Sequence, residues 1–91
     1  MMYISDETML AMLAKVQPLQ AEITKTGHSA HIDASVHEDI WDETSTHISI
    51  DVYIFYGHSL VGSFCFSPND TEEQLEATYA SLVAFVHTLQ R

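Results

Sequence analysis

Between His47 and Phe55 every second residue is a β-branched aliphatic: Ile48, Ile50, Val52 and Ile54 alternate with His47, Ser49, Asp51, Tyr53 and Phe55. A period of two sends the two sets to opposite faces of an extended chain, so the segment reads as a strand with one apolar and one mixed face. Whatever else the chain does, it must cover the even-numbered face of this strand.

The flanking sequence supplies both strands and covers. Upstream, Ala30, Ile32, Ala34 and Val36 alternate with His31, Asp33, Ser35 and His37, which predicts a half-buried strand reaching no further than Ile40. Asp42-Glu43-Thr44-Ser45 is the expected turn between these two strands. Downstream, the chain reverses at Tyr56-Gly57-His58, and Leu60, Phe64 and Phe66 then alternate with Val61, Ser63 and Cys65. If even-numbered residues of both strands share the core face, paired residues share parity, and a three-residue loop with Gly57 at positive φ satisfies that condition.

The period changes to that of a helix at both ends. Met9, Met12, Leu13, Val16, Leu19 and Ile23 repeat along one helical face, with Ser5 or Asp6 as N-cap and Gly27 as the stop. Pro18 inside this helix removes a backbone donor and predicts a kink. After Ser67-Pro68-Asn69, Asp70 and Glu73 read as a capping pair before Leu75, Tyr79, Leu82, Val86 and Leu89. The expected fold is therefore α+β: one domain spanning 1–91, in the order α-β-β-β-α, with a three-stranded antiparallel meander whose even-numbered face both helices cover.

Charge limits what such a domain can bind. Lys15, Lys25 and Arg91 are the only cations against thirteen carboxylates; the net charge is −10, and it stays negative with all six histidines protonated. Binding DNA or RNA through counterion release requires several cations directed at the phosphate backbone, so direct nucleic-acid binding is not expected. Anionic membranes are disfavoured for the same reason, and no apolar run is long enough to span a bilayer. A single cysteine, Cys65, cannot form an internal disulfide, and Met1–Glu7 has no signal-peptide pattern, so the cytoplasm is the expected location.

No catalytic constellation emerges. The glycines at 27, 57 and 62 are isolated, which excludes a phosphate-binding loop, and Cys65 has no evident general base. The chain is thus expected to be no enzyme and to use no cofactor. What the residues offer is an outer sheet face and an acidic turn. Tyr53, Phe55, Val61 and Cys65 form an apolar patch beside Asp33 and Asp51, and Trp41 sits among Asp39, Asp42 and Glu43. Asp33, Asp39, Trp41, Asp42, Glu43, Asp51, Tyr53 and Phe55 are accordingly the candidate partner-binding residues.

The expected function is a small acidic protein-binding module, an adaptor or inhibitor whose partner has a basic surface. In its sharpest form it mimics nucleic acid and blocks the phosphate channel of a basic protein. A second copy of the chain is the other candidate partner, through an open sheet face or an edge strand. The alternative function is a small-ligand or metal-binding domain built on the outer-face residues His31, Asp33, His37, His47 and Asp51, with His37 and His47 as the closest pair.

Overall fold

A computed structural model describes residues 3–39 and 42–90. The element order is α1 (Asp6–Lys25), β1 (Ser29–Asp39), β2 (Asp42–Tyr56), β3 (Ser59–Phe66) and α2 (Glu72–Leu89). The strands form one antiparallel sheet in the order β1-β2-β3, which is the expected α+β meander.

The core sits where the alternation of β2 requires it. Ile48, Ile50, Val52 and Ile54 are all buried. Over them lie Met9, Met12, Val16 and Ile23 from α1, Leu75, Leu82 and Val86 from α2, and Phe66 from β3. Each such side chain contributes roughly 1.5–3 kcal/mol through its removal from water. Gly62 on β3 completes the contact with α2, since a Cβ there would lie 3.0 Å from the Phe85 ring.

The helix termini follow from local chemistry. Ser5 caps α1 by accepting from the Thr8 amide at 3.2 Å. α1 runs as one continuous helix through Pro18. Pro18 and Ala14, whose carbonyl loses its partner, both face solvent, where water can bond that oxygen. At α2 the expected Asp70–Glu73 pair is replaced by a capping box one residue later: Thr71 accepts from the Gln74 amide, and Gln74 accepts from the Thr71 amide. Asp70 instead accepts from the Ser67 amide at 3.1 Å, closing the turn that precedes the cap.

Both reversals differ from expectation. Asp42–Ser45 is not a turn: β2 begins at Asp42, which pairs with Asp39, and the register with β1 shifts between this pair and Glu38–Thr46. Ile40 and Trp41 lie outside the described residues. At the other end of β2, Tyr56 pairs with Ser59 across the two-residue turn Gly57-His58, with Gly57 at φ +62° and no other residue of the turn at positive φ, as a type II′ hairpin requires. Parity is then restored by a β-bulge. Tyr56 and Phe55 pair with Ser59 and Leu60, but Ile54 pairs with Gly62, leaving Val61 as the extra residue. In consequence Leu60 is 54% exposed and lies opposite Phe55 on the outer face, where the alternation alone had placed it in the core.

The second half of β1 also departs from its pattern. Ala30 and Ile32 are half-buried under α1, but Ala34 is exposed and Val36 is 68% exposed. α1 crosses the sheet obliquely. Its C-terminal half touches β1, where the Gln20 amide donates to the Ala30 carbonyl at 2.9 Å. Its N-terminal approach lies at the far side, where the Ile4 amide donates to the Pro68 carbonyl after β3. The β1–β2 hairpin therefore projects past the helices, and the molecule measures 45 × 25 × 17 Å.

Replacing Ile50 or Leu82 by Ala should lower the unfolding free energy by about 2–5 kcal/mol in denaturant titrations, whereas Val36→Ala should change it by less than about 0.5 kcal/mol. Gly57→Ala should cost about 1 kcal/mol, because an L side chain at that φ is strained whatever space surrounds it.

Candidate interaction face

On the outer face the register sets odd-numbered residues of β1 and β2 side by side: Ser29 with Phe55, His31 with Tyr53, Asp33 with Asp51, Ser35 with Ser49, and His37 with His47. β3 extends three of these rows with Leu60 beside Phe55, Ser63 beside Tyr53 and Cys65 beside Asp51. Polarity therefore grades along the strands. The apolar end holds Phe55, Leu60 and Val61 near the Gly57 turn, the carboxylates Asp33 and Asp51 form the middle, and the histidines lie toward the projecting hairpin.

The expected residues thus fall in separate places. Asp33 and Asp51 are direct neighbours, as are Tyr53 and His31. Phe55 and Asp42 stand at opposite ends of β2, so the apolar residues and the acidic hairpin do not form one patch. The backbones of Asp39 and Asp42 are paired at the hairpin's end. Trp41 lies outside the described residues.

Several contacts were not visible in the residue pattern. The Tyr3 ring stacks on His47 at 3.7 Å between centroids, and the two border an open groove of ≈ 380 Å³ with Ser5, Asp6, Glu7 and Thr46. His37 Nε2 lies 2.9 Å from Ser49 Oγ. Among the described residues no three His, Cys, Asp or Glu side chains converge as a metal site would require. His37 and His47 are the adjacent pair the spacing suggested, but each has its own contact.

Cys65 is exposed, yet its surroundings oppose ionisation. Partial burial raises the thiol pKa first, and the hydrogen bond to Asp51 with the negative charges of Asp51 and Asp70 raises it further. A nucleophilic cysteine needs the reverse, a cation or helix N-terminus that favours the thiolate.

Charge is distributed as unevenly as polarity. No Lys or Arg lies on a strand. Lys15 bonds Glu76 at 3.2 Å and lies over the Tyr79 ring, and Lys25 bonds Glu22 at 3.4 Å, so both described lysines sit on α1 beside carboxylates. The two helices run parallel. Both start at the Pro68 end, and Gln90 near the end of α2 donates to Glu22 near the end of α1. Asp6, Glu7, Glu72 and Glu73 occupy the two first turns, where the helix dipoles favour negative charge. The groove shared by Asp6, Glu7, Thr46 and His47 puts the base of the hairpin at this same end. All the chain's carboxylates except Glu22, Asp33 and Asp51 belong to this end of the molecule or to the hairpin projecting from it.

No known protein family matches the sequence, and no curated protein or solved structure shows significant similarity to the chain. Among the described residues no helix is long and apolar enough to cross a membrane.

Because its pKa is raised, Cys65 holds a smaller thiolate fraction at pH 8 than a free thiol, so its alkylation by iodoacetamide should be slower than that of a cysteine peptide and should rise toward higher pH. Asp51→Asn removes the nearest charge, leaving at most a neutral amide acceptor, and should speed the reaction; equal rates in the two proteins would mean that the Asp51 charge does not control the thiol. Like charges directly opposed across strands are destabilising, so Asp33→Asn should raise stability at pH 7 by about 0.5 kcal/mol in urea unfolding.

Proposed function

We propose that the chain is a small acidic protein-binding module that presents its acid-rich end and the projecting β1–β2 hairpin to a basic surface on another protein. The observation that supports this reading is the polarity of charge: carboxylates collect at one end, no cation lies on any strand, and both described lysines are engaged on α1. Part of the acidity is accounted for by the helix dipoles, which explain Asp6, Glu7, Glu72 and Glu73. They do not explain Glu38, Asp39, Asp42 and Glu43, which lie on the paired strands β1 and β2 and not at a helix terminus. A long strand pair of one charge sign is costly to the isolated domain and useful to a surface that steers a basic partner.

The role within that class is an adaptor or an inhibitor that occupies a basic surface, including one that otherwise holds nucleic acid. Affinity capture with the tagged chain from its source cells, followed by mass spectrometry, tests the reading. A basic-surfaced protein should be retained at low salt and released as salt screens the charges. It should be lost from the Asp42→Lys variant and kept by Glu22→Lys, which makes the same change of charge at the far end. Equal retention by both variants would remove the acidic hairpin from the binding surface.

A further inference from the structure

We infer that β1 pairs with β1 of a second copy, antiparallel and centred on Ser35, joining two three-stranded sheets into one of six strands. The first support is the direction of the backbone groups. Tyr56 and Ser59 close a two-residue hairpin, so they are a hydrogen-bonded pair, and even-numbered residues of β2 bond to β3 while odd-numbered ones bond to β1. Odd-numbered residues of β1 are then bonded to β2, and the amides and carbonyls of Ala30, Ile32, Ala34 and Val36 point to the open edge. The Ala30 carbonyl confirms that direction, since it takes its bond from Gln20 on α1. Among the described residues nothing else occupies this edge, and β1 carries neither proline nor lysine to block pairing.

The second support is the order of side chains, which is self-complementary. About Ser35 the outer face of β1 reads Asp33, Ser35, His37. An antiparallel copy centred there sets Asp33 against His37 of the second copy and His37 against its Asp33. The register carries the match across four strands, because Asp51 lies beside Asp33 and His47 beside His37. Two carboxylates meet two histidines in each of two rows, with the Ser35–Ser49 rows between them. The like-charged Asp33–Asp51 row of the single chain thus gains the partners it lacks. Pairing centred on Ala34 sets His31 against His37, and pairing centred on Ile32 sets Asp33 against His31 but ends that row on Tyr53 instead of a second histidine, so only the Ser35 register matches both carboxylates.

The third support is on the opposite face. The same register sets Ala34 against Val36 of the second copy, continuing the apolar rows of Ile50 and Ile48. The second copy's α1, lying over the start of its own β1, stands beside the half of this strand that its own helices leave bare, where Val36 is 68% exposed. This pairing does not depend on the acidic end binding a partner, and the two respond oppositely to salt: screening weakens a basic partner's hold but relieves the repulsion between two chains of charge −10.

Sedimentation equilibrium of the full chain, with circular dichroism to verify folding, tests the inference. The wild type should sediment as a concentration-dependent dimer, and Val36→Lys as a monomer. Asp33→His and His37→Asp should each weaken the dimer by about tenfold or more, and the double variant, which restores opposite pairing in reversed order, should recover it. Leu60→Lys, on the outer face away from β1, should leave it intact. In the unaltered protein, the amides of Ala34 and Val36 should exchange more slowly as concentration rises. A monomer at every concentration, a dimer indifferent to Val36→Lys, one dispersed by Leu60→Lys alone, or failure of the double variant to recover would each overturn the pairing.

Discussion

The structure depends on burial of one face of one strand. Ile48, Ile50, Val52 and Ile54 make β2 apolar along one side for its central length, and both helices and β3 are placed by the need to remove that side from water. The demand extends to the connection with β3. A two-residue turn pairs residues of opposite parity, which would put the wrong face of β3 toward the helices. The bulge at Val61 inserts the residue that returns Gly62, Phe64 and Phe66 to the core side. The cost is borne by Leu60, an aliphatic side chain left half in water.

The parallel helices turn a packing arrangement into an electrostatic one. Connecting α1 to β1 and β3 to α2 by short links makes each helix antiparallel to its adjacent strand, and β1 and β3 run the same way. The helices must then start at the same end, and their dipoles add instead of cancelling. Acids at both N-termini relieve that field and in doing so create a negative pole. The hairpin extends the pole outward, because α1 crosses the sheet obliquely and leaves the second half of β1 uncovered.

Within the sheet, the rows of the outer face are poorly matched in a single chain. Asp33 faces Asp51, where an opposite charge would be stabilising, and His37 faces His47. The proposed pairing with a rotated copy would set histidines against those carboxylates.

Much of the fold was legible in the residues because periodicity reports burial directly. The β2 alternation and the two helical stripes suffice to define the order, the sheet and the covered face. The exact cap of α2 was obscured because Asp70 and Thr71 are both capable of the role, and only the Ser67 turn decides between them. The bulge was hidden because two solutions, an odd loop or an even loop with an extra residue, satisfy the same parity. Which residues share a row, where α1 stops covering β1, and that both acidic segments meet at one end are properties of register and helix direction. The sequence by itself determined which face of β2 and which helical stripes must be buried, since their apolar periodicity leaves no other way to remove them from water; only the tertiary structure decided what became neighbours and that Val36 and Leu60 stay exposed, since strand register and crossing angle are set by the packing of the whole core.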